Sequence, residues 1–162
     1  MRVALIDGLL AELDDVRAAF LAALEGVTQE QFVRRPPGEA AEGEERWPVR
    51  DVCWHLGQYD DYQRRVILAA TGGRPLPENA PTKRPDYLDT PDLLREWLAQ
   101  SRRALVVLVT QMDEAALNRE FEGPRRTLTA RGILKWIAIH ERSHIAQVEA
   151  LRALPPAPPA AP

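Results

Sequence analysis

Three histidines set the chemistry open to this chain. His140 and His144 stand four residues apart in the run His140-Glu141-Arg142-Ser143-His144, and His55 is the third and last residue of its type. On an α-helix the i, i+4 spacing puts both imidazoles on one face, one turn apart, close enough to share a metal ion. Ile133, Trp136, Ile137, Val148 and Leu151 recur around them at helical spacing, so the same face turns toward a core. His55 lies on a second apolar-periodic segment, with Val52, Leu56, Tyr59, Tyr62 and Val66. Three neutral imidazoles suit Zn²⁺, Ni²⁺, Fe²⁺ or Cu²⁺ better than Mg²⁺ or Ca²⁺, which prefer oxygen. Three protein ligands also leave a position open for water or substrate, the arrangement of a catalytic site. Such an ion activates bound water or a thiolate. Cys53, two residues from His55, points about 200° around the helix and is a poor fourth ligand.

His140-Glu141-x-x-His144 also matches the H-E-x-x-H zinc-protease pattern, in which the Glu is general base. The rest of the chain does not supply a protease. A metzincin extension wants Gly and His where Gln147 and Ala150 stand. A Glu ligand on a following helix has no place after Arg152, where only Pro and Ala follow within a few residues. The protease reading is rejected, and Glu141 receives no catalytic role; Glu141 and Arg142 read as surface or groove residues.

Four amphipathic segments of about 20 residues must position these side chains. The first spans Val3 to Leu24, with Leu5, Leu9, Leu13, Val16, Phe20 and Leu24 in period, and stops at Gly26. Thr28-Gln29-Glu30-Gln31 has the form of a capping box opening one short helical turn. The second starts at Trp47-Pro48, with Pro at the first helical position, and ends before Gly72-Gly73. A Pro-rich connection, Gly72 to Asp89, leads to a third segment capped by Thr90. A connection of that length fits a crossover along a bundle rather than a hairpin. After a short turn near residues 113–121, Thr129 caps the fourth segment, which carries the histidine pair. No strand pattern and no internal repeat stand out. The expected fold is all-α, a four-helix bundle over residues 1–154, followed by a disordered Pro/Ala tail at 155–162. His55 lies seven residues into its helix and the pair is centred ten residues before the end of the last one. Antiparallel packing leaves a mismatch of roughly 4.5 Å, parallel packing roughly 9 Å, so antiparallel packing is favoured. Up-down-down-up order follows naturally.

A formal charge of -3 over 162 residues argues against nucleic acid, which needs a basic footprint. No stretch approaches the length of a membrane span. A single cysteine excludes an intrachain disulfide, and the N-terminus lacks a signal-peptide pattern, so a cytoplasmic protein is the expectation.

Trp47-Pro48-Val49-Arg50-Asp51-Val52-x-x-His55-Leu56, with the late His140-Glu141-x-x-His144-x-x-Gln147, resembles the DinB-like superfamily of bacterial proteins. The resemblance covers nearly the whole chain. It implies an up-down-down-up bundle, a divalent metal (zinc or nickel) on His55, His140 and His144, and a possible homodimer. It also implies activities of the type of thiol-dependent transferases and isomerases, which use bacillithiol or mycothiol. The partner would then be a small-molecule substrate or a thiol cofactor. Arg50, Arg142 and Tyr59 are candidates to bind an anionic thiol or substrate. Asp51 and Gln58 are candidates to orient His55 through its second ring nitrogen, against the alternative of a solvated helix face. Tyr59 either packs in the core or lines the metal pocket, while Trp54, Trp97 and Trp136 read as core. The readings left standing are a metal-dependent thiol S-transferase, a metal-assisted hydrolase, and a non-catalytic metal or small-molecule binding protein linked to stress.

Overall fold

The computed structural model describes residues 4–36, 43–78, 80 and 83–155. The last residues of the Pro/Ala tail, 156–162, lie outside the described residues. Four long helices carry the fold: α1 (Ala4–Ala23), α3 (Val49–Thr71), α4 (Pro91–Thr110) and α6 (Ala130–Arg152). Two five-residue helices, α2 (Gln29–Val33) and α5 (Glu114–Asn118), sit in the connections, and a 3₁₀ turn spans Glu44–Arg46.

The ends of the helices follow local chemistry. Gly26 takes φ 71° after α1, a conformation that L side chains resist. The Thr28–Gln31 capping box forms with both its hydrogen bonds, and Thr90 and Thr129 each accept a backbone N–H in the first turn of their helices. Pro48 departs from expectation by one position. It is the N-cap of α3, not its first residue, because its ψ of 161° is extended. A second departure is a small antiparallel hairpin, β1 (Phe121–Glu122) with β2 (Thr127–Leu128). Two-residue strands are too short for a period-2 pattern to register in sequence.

Cross-helix contacts fix the directions. Trp97 Nε1 donates to Trp54 O at 3.2 Å, and Arg102 Nε to Asp60 Oδ2 at 2.8 Å, so α4 runs parallel to α3. Arg17 meets Glu141 and Arg152 meets Ala23 O, so α6 runs parallel to α1. Arg102 donates to Leu13 O while Arg95 donates to Leu24 O, so α4 opposes α1. The order is up-down-down-up. The α3–α4 approach is close at Gly57, where any side chain would drive into the Trp97 indole.

The apolar interior is split in two. One cluster joins Leu9, Leu13, Ile67, Leu105 and Ile137, and the other joins Phe20, Val52, Leu94, Leu98 and Val148. Between them lies a layer of four buried charges, one from each long helix: Arg17, Asp60, Arg102 and Glu141. Arg17 Nη2 donates to Asp60 Oδ2 at 3.0 Å, its Nε donates to Glu141, and its Nη1 donates to Leu98 O at 2.7 Å. Arg102 Nη2 donates to Glu141 Oε2 at 2.5 Å, and its Nη1 to Leu13 O at 2.6 Å. Burial pushes the Asp60 carboxyl up, against the pull of Arg102 and Arg17. Burial also works against the Arg102 charge, but Asp60 and Glu141 outweigh it and raise its pKa. Each carboxylate faces both guanidiniums, so the layer pairs two formal positive charges with two negative ones. Glu141 is therefore an interior residue, contrary to its surface reading. The error lay in treating a charge next to a histidine as solvated, when its own helical face was apolar.

Candidate metal centre

At the same level of the bundle, where α3 faces α6, the three histidines converge. His55 Nε2 and His140 Nε2 lie 3.2 Å apart, and so do His140 Nε2 and His144 Nε2. Their rings stand edge-on to one another, with His55–His140 centroids at 5.0 Å and His140–His144 at 4.8 Å. The antiparallel packing of α3 and α6 brings them level, as the spacing along the two helices implied. A fourth group joins them from the 3₁₀ turn ahead of α3. Glu44 Oε1 is 3.9 Å from His55 Nε2, and the ligand atoms of Glu44, His55, His140 and His144 all lie within 4.8 Å of one another.

The protonation states follow from the surroundings. Burial, then the neighbouring His140 and His144, push the His55 pKa down to about 3. Burial and His144 push His140 down to about 4, against the pull of Glu141. At neutral pH both rings are uncharged, so the Glu44–His55 contact is no ion pair. His144 Nδ1 lies 2.7 Å from Gln147 Oε1. The Gln147 amide is oriented by its other end, where Nε2 donates to Glu44 O at 2.5 Å. An amide oxygen facing Nδ1 requires the proton there, which leaves the His144 Nε2 lone pair aimed at His140.

His140 Nε2 faces two such nitrogens and can donate a proton to only one. Three imidazole nitrogens and a carboxylate oxygen gather within 4.8 Å of one another, with His55 and His140 uncharged. Nε2–Nε2 separations of 3.2 Å match the edge of a coordination tetrahedron with bonds of roughly 2.0–2.1 Å, about 3.3 Å. The donor set therefore fits a divalent transition ion. His140 Nδ1 is buried with no partner among the described residues, so packing on the Tyr59 ring, 4.5 Å away, orients this imidazole. Trp47 packs on the far side of His55 at 4.9 Å.

Among protein-family models, that of the DinB superfamily matches the chain over residues 12–148. The chain belongs to the DinB superfamily. The matched span takes in all three histidines, Glu44, and the four buried charges between the cores. Neither curated proteins nor solved structures give a significant match. In this DinB-superfamily bundle, the second and fourth of the long helices converge on one histidine cluster.

The other residues expected near the site divide. Tyr59 is at the site, between His140 and a large cleft. Arg50 and Asp51 are not: Arg50 donates to Asp89 at 2.6 Å, Asp51 accepts from Arg84 at 2.8 Å, and both line a separate cavity of about 240 Å³. Gln58 is buried, and its Nε2 has no hydrogen-bond partner among the described residues. Arg142 is exposed, with Glu12 at 3.8 Å. Trp54 is in the core and Trp97 packs against it, but Trp136 is 46% exposed and lines the cleft, where it was expected inside. Cys53 is fully buried, and burial pushes its thiol up to about 12. Glu44 and Gln147 were missed as site residues. Gln147 was legible, because i, i+3 from His144 puts it on the same face. Glu44 was not, because no periodicity places a loop residue.

Among the described residues, no helix is long and apolar enough to cross a membrane.

Proposed function

We propose that this DinB-superfamily protein is a metal-dependent enzyme, most concretely an S-transferase that joins a low-molecular-weight thiol to an electrophilic substrate. The observation that carries the reading is the convergence of the three histidines, His140 Nε2 standing 3.2 Å from those of His55 and His144, with Glu44 beside them. Zinc and nickel are the ions we assign first, from the all-imidazole core of the donor set. A divalent ion held by these side chains supplies the charge that keeps a thiol, or a water, deprotonated at neutral pH.

The protein's own groups support the remaining steps. Cys53 cannot be the nucleophile, being buried with its thiol held protonated, so the thiol comes from solution. Glu44, with its side chain 56% exposed on a short turn, is the most accessible of the four groups and the one positioned to give way to it. Gln147 holds both the His144 tautomer and the backbone of that turn. Burial holds the Tyr59 hydroxyl protonated, while its ring packs on His140.

Metal content measured by mass spectrometry on untagged protein tests the site. About one ion per chain is expected, lost in His55→Ala and His144→Ala. No ion after incubation with Zn²⁺ and Ni²⁺ would sink the metal reading. Loaded protein is then assayed for conjugation with bacillithiol, mycothiol and other bacterial thiols across a panel of electrophiles. Bound metal without acceleration would leave a non-catalytic binding protein, and acceleration of ester or amide hydrolysis instead would make it a metal-assisted hydrolase.

A further inference from the structure

A cleft of about 930 Å³ opens beside the histidine cluster, between α3, the β1–β2 hairpin and the first half of α6. Its floor is apolar: Tyr62, Val66, Leu76, Leu128 and Ile133. Its rim carries three cations, Arg125 and Arg126 from the hairpin turn and Lys135 from α6, against one carboxylate, Glu120. All three cations are exposed, and none makes an ion pair among the described residues. The Arg126 guanidinium lies 5.9 Å over the Trp136 ring, an arrangement that keeps its charge at the cleft mouth rather than in open solvent. The hairpin packs Phe121 and Leu128 against the core and leaves Glu122 and Thr127 exposed. Its turn carries two arginines to the edge of an apolar groove.

A chain with a net charge of -3 that places three unpaired cations on one apolar cleft has a surface complementary to a small amphipathic anion. We propose that this cleft binds such a molecule, an apolar body on Tyr62, Val66 and Ile133 with its carboxylate or comparable group at Arg125, Arg126 and Lys135. Tyr59 lines the cleft and packs on the His140 ring, so a ligand held there lies one side chain away from the cluster. That the ligand is the electrophilic substrate of the metal centre rests on the function proposed above; that it binds does not.

Decanoate is the probe, with decan-1-ol and decyltrimethylammonium as uncharged and cationic matches, each titrated by calorimetry into the full chain. Decanoate is expected to bind at least about tenfold more tightly than either match. Combining Arg125→Ala, Arg126→Ala and Lys135→Ala, all exposed positions, should remove that preference while the circular dichroism stays unchanged. His55→Ala should leave decanoate binding in place, so failure of the metal reading and failure of this one are told apart. Equal binding of the three probes, no binding of decanoate at millimolar concentration, or a triple variant that binds as the parent would each overturn the proposal.

Discussion

Two polar sites share the middle layer of this bundle, and residues adjacent in sequence supply one to each. Glu141 enters the four-charge layer, while His140 enters the histidine cluster one position away on the α6 surface. In the first site every charge has an opposite partner, and the guanidinium nitrogens of Arg17 and Arg102 each find an acceptor. In the second, nitrogens face nitrogens. Both cost the interior apolar contacts. Only the second gathers three ring nitrogens and a carboxylate with too few donors among them to satisfy every acceptor. A satisfied buried network holds helices in register, whereas converging lone pairs are what a cation needs.

The contrast is broken most severely by unbalancing the charge layer. Glu141→Ala leaves the buried Arg17 and Arg102 sharing Asp60 alone. Removing one member of a buried ionic set typically costs about 3–5 kcal/mol. Chemical denaturation should show a loss of that order, and a loss under about 1 kcal/mol would mean that water reaches the layer. Arg17→Met combined with Glu141→Leu keeps the Arg102–Asp60 pair balanced, and it should cost less than the two single changes added together.

The charge layer was legible in the sequence and went unread. Arg17 stands between Leu13 and Phe20, Arg102 between Leu98 and Leu105, and Glu141 between Ile137 and Val148, all at helical spacing. A charge inside an apolar stripe is a buried charge, and oppositely signed examples on different helices imply partners. The histidines were legible for the related reason that a scarce residue type fell only on inward faces. The helix directions followed from matching their depths. Glu44 and the hairpin were illegible because neither has a period: one is fixed by a 3₁₀ turn that Gln147 ties down, the other by a strand pair too short to alternate. Trp136 misled because its spacing matches the buried stripe, yet it lies at the edge of that stripe, where the cleft opens.

The second test sharpens the comparison through pH. His55 and His140 are held neutral in the folded protein, at about 3 and about 4, while in the unfolded chain they titrate near 6.5. Between those values the unfolded chain binds more protons than the folded one. Metal-free protein should therefore keep its full stability above about pH 6.5 and lose it as the pH falls toward 4. The diagnostic is the difference between parent and His55→Ala, which isolates the contribution of that ring. The variant should lose less stability between pH 6.5 and 4.5. Parallel curves would show that His55 takes up its proton in the folded state without penalty.

The smallest expected effect separates orientation from ligation. Gln147 touches no common point of the cluster; it accepts from His144 Nδ1 and donates to Glu44 O. Gln147→Leu removes both bonds and leaves every proposed ligand in place. Losing such an orienting partner typically lowers metal affinity by about 10–100-fold, with little change in unfolding temperature. Gln147→Glu restores an acceptor for the His144 N–H but sets a carboxylate against the Glu44 carbonyl. If the tautomer matters more than the turn, Zn²⁺ competition with a chelating dye will place Gln147→Glu near the parent and Gln147→Leu well below it. If both variants fall together, the tie to the turn that carries Glu44 is what the side chain contributes. Parent-like affinity in Gln147→Leu would mean that packing alone orients His144, as it does His140.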